Sequence, residues 1–143
     1  MKPNVGKAIL GGVVGTVLIT LIMYYVAPMM TGGPMDIAAM LGSMMGNNWW
    51  MGMAAHVING VVVFPLIYVF VLYSFLPGAS WLKGGLWGLA LWLLAQVVVM
   101  PMMGAGLFSA NAGGMPAVMG SLMGHLVYGV ALGLVTGGPA RER

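Results

Sequence analysis

The sequence predicts an all-α, polytopic membrane protein of four transmembrane helices in a bundle, with both termini on the cytoplasmic side. Three observations carry this. The chain of 143 residues is 61% hydrophobic and 5% charged, whereas about a quarter of the residues of a soluble domain carry charge. Four apolar stretches reach the roughly 20 residues needed to cross about 30 Å of hydrocarbon. The five Lys and Arg side chains all flank these stretches on one side. Residues 1–143 therefore form a single membrane domain, with helices expected at 8–30, 50–76, 81–103 and 117–137 and outer loops at 31–49 and 104–116.

The first stretch follows Lys2 and Lys7 and resembles a leader in outline. Its apolar run exceeds the roughly 7–15 residues of a signal core, and no small-x-small site follows Tyr25, so it is expected to be a retained helix. The second stretch carries Pro65, whose missing N–H bends a helix near its middle. The turn at Pro77–Ser80 and Lys83 introduces the third, and Arg141 and Arg143 follow the fourth. By the positive-inside bias, Lys2, Lys7, Lys83, Arg141 and Arg143 mark the cytoplasmic face, giving an N-in, C-in topology with Asp36 outside. The basic balance reports these membrane anchors, so nucleic acid is not an expected partner and lipid is.

Small residues at helical spacing mark where membrane helices approach closely. Gly11 and Gly15 form such a ridge in helix one, and Gly84 and Gly88 in helix three. Helix four carries Gly120, Gly124, Gly129 and Gly133, which predicts a central place for it. Polar groups at membrane depth must find partners. The expected network includes Asn59, Gln96 and Tyr128, together with Thr16, Thr20 and the two histidines.

A weak 2+2 parallel repeat runs through the chain. Pro28-Met29-Met30 ends helix one and Pro101-Met102-Met103 ends helix three. His56-Val57-Ile58-Asn59-Gly60 reads like His125-Leu126-Val127-Tyr128-Gly129. The proline-to-histidine distance is 28 residues in the first half (28 to 56) and 24 in the second (101 to 125), so a duplication requires a local insertion. Two outgoing and two returning helices put His56 and His125 at comparable depth beneath the outer loops, at about 1.5 Å per residue.

Fourteen of the sixteen methionines lie in two blocks, Met29 to Met53 and Met100 to Met123, and the topology puts both at the outer face. Thioethers gathered at one face point to soft-metal ligation or to an adaptable docking surface. The metal reading is a Cu(I) site from Met44, Met45, Met51, Met53, His56 and His125, since thioether and neutral imidazole are soft and uncharged. Its mixture of Met, Trp and His resembles, in residue types only, periplasmic copper sites; as an aromatic belt, Trp49 and Trp50 have an alternative role. A second cofactor reading is haem b held between His56 and His125, with glycine making room for the macrocycle. A third reading needs no cofactor, the histidines serving as interhelical hydrogen-bonding groups.

Enzyme chemistry is not expected. Asp36 and Glu142 are the only carboxylates, and they lie on opposite sides of the membrane, which excludes paired-acid catalysis. No Gly-x-Ser-x-Gly elbow occurs, and the chain has no cysteine for a thiolate nucleophile or metal site.

Residues 120–133, Gly-Ser-Leu-Met-Gly-His-Leu-Val-Tyr-Gly-Val-Ala-Leu-Gly, resemble the last-helix signature G-H-L-x-Y-G-x-x-L-G of small four-helix bacterial membrane proteins of uncharacterised function. The resemblance covers one helix well and the rest by length and topology. It implies the four-helix fold and a bacterial inner (cytoplasmic) membrane setting, and it brings no reaction or ligand. The leading functional expectation rests on the apolar outer loops, which suit a covering partner better than water. It is a non-catalytic accessory or structural subunit of a larger energy-converting, respiratory-type membrane complex.

Overall fold

The computed structural model describes residues 4–137; Lys2, Arg141, Glu142 and Arg143 lie outside the described residues. Four long helices and one short one make up the fold, with no strand among the described residues. They are α1 (Val5–Thr31), α2 (Ile37–Ser43), α3 (Trp49–Leu72), α4 (Ser80–Met102) and α5 (Gly114–Thr136). Each of the four long helices has 23 or more residues and is apolar enough to cross a membrane.

Local chemistry sets the helix starts. Asn4, Asp36 and Asn48 each turn a side-chain oxygen onto a backbone N–H of the first turn of α1, α2 and α3, which satisfies donors that have no partner inside the helix. The helix α2 falls within residues that the sequence reads as loop. It is short, and its Asp36 cap is the one local signal of its presence. The helix α3 stops at Leu72, earlier than expected. A turn carrying Gly78 at φ 85° follows and brings the chain to α4.

Prolines leave a repeated mark. In three of the long helices a widened turn, with hydrogen bonds reaching back five residues, precedes a proline: Ile22–Val26 before Pro28, Asn59–Val63 before Pro65, and Ala95–Val99 before Pro101. In each case the N–H just before the proline bonds the carbonyl at the start of the widened turn, from Ala27 to Ile22, Phe64 to Asn59 and Met100 to Ala95. A proline ring ordinarily collides with the carbonyl four residues back. One extra residue in the turn moves that carbonyl away, and the helix continues through the proline. This is why Pro28 and Pro101 lie inside helices rather than ending them.

The helix α5 packs against both α1 and α4, and α1 packs in turn against α3. Glycines make these approaches possible. A Cβ on Gly84 would overlap the Gly129 carbonyl, and one on Gly88 the His125 carbonyl; on the facing side, one on Gly129 or Gly133 would overlap the carbonyl of Gly84 or Ser80. Gly11 and Gly15 lie against the backbone of Leu132 and Tyr128, while Gly120 and Gly124 face Ala27 and Ile19. Gly12 and Gly60, which the sequence reading passes over, hold α1 to α3: a Cβ on Gly12 would strike Pro65, and one on Gly60 would strike the Thr16 hydroxyl. Tyr128 crosses the core to donate to the Gly60 carbonyl at 2.7 Å, a buried bond worth about 1 kcal/mol.

The remaining pair is looser. The helices α3 and α4 meet where Tyr68–Leu72 lies against α4 and where Phe64 and Trp87 pack edge to face at 6.3 Å between ring centres. Toward the Met-rich end they diverge around a cavity.

Gly129→Leu is expected to open the α4–α5 seam and to destabilise the protein by about 1–3 kcal/mol or more, the range for overpacking. Reversible unfolding in mixed micelles measures it. The same substitution at Gly33, which has open space around its Cβ position, should change stability little.

Candidate functional site

The cavity between the helices has a volume of about 150 Å³ and a mostly apolar wall drawn from all four long helices and α2. Both histidines line it, His56 from α3 and His125 from α5. Three methionines join them, Met23 from α1 and Met100 and Met103 from the end of α4. Met23 and Met100 are buried in the packing.

Hydrogen bonds fix which ring nitrogen carries a proton. The Thr20 hydroxyl donates its one hydrogen to the Thr16 carbonyl at 2.6 Å. His56 Nε2 lies 2.8 Å from the same hydroxyl, and with the Thr20 hydrogen on the Thr16 carbonyl this arrangement matches the tautomer protonated at Nε2. His125 has its Nδ1 at 2.8 Å from the Ser121 carbonyl, and a carbonyl only accepts, so Nδ1 holds the proton there. In the neutral rings, Nδ1 of His56 and Nε2 of His125 keep their lone pairs. Thr16, also in the wall, has a buried hydroxyl without a partner.

The other expected polar residues take separate roles. Tyr128 binds the Gly60 carbonyl, as described. Gln96 is fully buried and accepts from Ser109 at 2.9 Å, which ties the α4–α5 connection down where Phe108 and Ser109 both adopt positive φ. Asn59 lines the cavity.

The methionines assigned to a metal from sequence lie elsewhere. Met44, Met45 and Met51 are exposed, Met53 is half-buried, and none of the four lines the cavity. Helix geometry accounts for Met51: five residues before His56, it points about 140° away around the helix axis. Met44 and Met45 lie in the turn between α2 and α3. The thioethers that do share a cavity with the imidazoles are those of Met23, Met100 and Met103. Met23 falls outside both methionine blocks, and its position one helical turn beyond Ile19 on the cavity side is the signal that would have found it.

Haem has a different requirement. A cavity of about 150 Å³ is below the roughly 300 Å³ at which drug-sized ligands begin, and a porphyrin is larger still. His56 also uses its Nε2 on Thr20.

The helix α2 closes the Met-rich end of the cavity, with Ile37 and Leu41 in the wall. Asp36 holds it in place. Its carboxylate accepts from the Ala39 N–H at 2.9 Å, from Trp49 Nε1 at 3.1 Å to each oxygen, and from the Tyr24 hydroxyl. One acidic side chain thus joins α1, α2 and α3. Glycine completes the join, since a Cβ on Gly52 would overlap the Ala38 carbonyl. Trp49 is in this way a structural donor, while Trp50 stands exposed beside it, edge to face at 4.9 Å. Partial burial alone would raise the Asp36 pKa, but the hydrogen bonds from Tyr24, Ala39 and Trp49 outweigh it and hold the carboxyl below its usual value.

A family profile matches residues 3–142, nearly the whole chain. The chain belongs to DUF6789, a family of unknown function. For this DUF6789 chain, no curated protein and no solved structure shows a significant match. The family brings no ligand or reaction with it, so the cavity of the DUF6789 fold must be read from its own residues.

Because the folded-state pKa of Asp36 is depressed, its stabilisation is complete above the ordinary aspartate value of about 3.9 and is lost as pH falls through the lower folded value. Acidification should therefore release Trp49 from Asp36, read as a change in tryptophan emission below about pH 4. Asp36→Asn should remove that transition and cost about 1–3 kcal/mol.

Proposed function

We propose that this protein is a non-catalytic, multi-pass membrane protein that binds a soft monovalent metal ion, Cu(I), in the cavity beneath α2. The observation that carries the proposal is a shared wall: His56 and His125, each with one ring nitrogen outside its hydrogen bond, line one cavity with three methionines. Neutral nitrogen and thioether donors suit Cu(I), which gains ligand bonds without needing an anion buried beside it. Carboxylate-preferring cations find no equivalent. Among the described residues no group of three His, Cys, Asp or Glu gathers to hold such an ion.

The hydrogen bonds behind the ligands support the same reading. Ligating histidines commonly donate their second ring N–H to an oxygen, which fixes the tautomer and aims the lone pair. Thr20 does this for His56 and the Ser121 carbonyl does it for His125. Under the positive-inside bias, Lys7 and Lys83 put the opposite end of the protein in the cytoplasm, so the Met-rich end faces outward. The setting is then the bacterial cytoplasmic membrane, with the metal taken from the outer side.

Anaerobic loading with Cu(I), followed by competition with a coloured Cu(I) chelator, tests the proposal. The parent should retain about one metal per chain, with nitrogen and sulfur both in its X-ray absorption first shell. His56→Ala and His125→Ala should abolish retention. Thr20→Val should weaken it roughly tenfold by freeing the His56 ring. A double change of Met44 and Met51 to Leu should leave it unaltered. No retained metal in the parent overturns the proposal.

A second reading has its own observation. Met29, Met102, Met115 and Trp50 are 86%, 64%, 68% and 77% exposed at the Met-rich end, a flexible apolar surface of the kind that conforms to a partner. It supports an accessory subunit of a larger membrane complex. Gentle purification from native membranes should then bring down larger subunits at fixed stoichiometry, and recovery as a lone monomer would count against it.

A further inference from the structure

We infer that the metal enters the cavity through a groove at the Met-rich end, between α2 and the α4–α5 connection, where Met103 passes it inward. This rests on the Cu(I) reading above and concerns the route rather than the site. The groove is lined by Met40 and Ser43 of α2 on one side and by Met103, Asn111 and Ala112 on the other. Met103 is the residue common to the groove and the cavity. Met103 therefore borders both spaces, with Met40 on the groove side and Met100 on the cavity side.

The short helix α2 separates the two compartments by its own periodicity. Ile37 and Leu41, one turn apart, belong to the cavity wall, whereas Met40 and Ser43 belong to the groove. The helix thus acts as a lid with an apolar underside and a sulfur-bearing rim. Its seat on Asp36 and Gly52 keeps it fixed against α1 and α3, leaving the edge facing the α4–α5 connection as the open side.

Charge favours this end as well. Asp36 is the carboxylate of the described residues, and its hydrogen bonds keep it ionised near the start of α2. Lys7 and Lys83 lie at the other end of the helices. A monovalent cation arriving from water at this end is drawn toward the Asp36 carboxylate and away from those two lysines. The helix flanks, by contrast, present large exposed apolar side chains, which offer a hydrated cation no attraction.

Transfer along this path needs no redox step and no proton. A thioether does not ionise, so the incoming sulfur bonds Cu(I) as the outgoing donor leaves, and the metal remains Cu(I) throughout. The aqueous donor's ligand departs at the groove. Met40 and Met103 exchange the ion, and the imidazole nitrogens receive it.

The test is the rate of Cu(I) transfer from a coloured Cu(I) chelate to the detergent-solubilised full chain, followed by stopped flow, with metal content at equilibrium measured on the same samples. Met40→Leu removes the outer thioether, and Ala112→Trp fills the groove without touching the cavity. Both are expected to slow loading about tenfold while reaching the parent's final metal content, which also shows that the variants are folded. Met103→Leu should slow loading and weaken retention, because it borders both spaces. Loading of Met40→Leu and Ala112→Trp at the parent rate, with the parent fully loaded, overturns the route and leaves the site standing. A parent that takes up no metal overturns the site, and the route with it.

Discussion

Everything at the Met-rich end depends on how closely α5 is held by its two neighbours. Membrane helices gain little hydrophobic drive from meeting one another, so contact comes from backbones approaching over small residues. Gly84, Gly88, Gly129 and Gly133 bring α4 onto α5 with no room for a methyl group between them. Gly11 and Gly15 do the same for α1 against α5. With α1 and α4 locked onto α5 and α3 held to α1, α3 and α4 are joined mainly near Tyr68 and Phe64. The cavity is the space this arrangement leaves, and α2 is the element that covers it.

The two seams also explain why both histidines line one cavity. The backbone carbonyl of His125 is pressed against Gly88, so its position on α5 is set by the close α4–α5 seam. His56 is set by α1 instead, through the Thr20 hydroxyl. Each ring is therefore oriented by a different seam, and both seams run through α5 or α1. The hydrogen bonds that satisfy the buried N–H groups are the same ones that leave a lone pair on each ring.

The long helices were legible in the sequence because crossing hydrocarbon demands a run of apolar residues that little else produces. The glycine ridges were legible for a related reason, as close approach has few alternatives in residue choice. The widened turns before Pro28, Pro65 and Pro101 were not. They relieve a clash between a ring and a carbonyl that only exists once the helix has formed, so a proline in an apolar run announces a bend but not the widened turn that precedes it. The lid α2 was hidden by its length, since a single hydrophobic pair such as Ile37 and Leu41 gives too little periodicity to stand out. Soft donors were abundant in the sequence, and counting them drew attention to Met44 and Met51, whereas which of them reach the cavity depends on helix rotation.

The fixed placement of protons on the two rings has a bearing on the membrane itself. An imidazole conducts a proton by accepting it on one nitrogen while releasing another from the opposite side. At His56 the release side faces a threonine whose own hydrogen is committed to a carbonyl, and at His125 it faces a carbonyl directly. The Thr20 hydrogen is already engaged by a carbonyl, and the Ser121 carbonyl has none to send onward. A proton leaving either ring by that side would thus have to displace a hydrogen bond already in place before it could travel on.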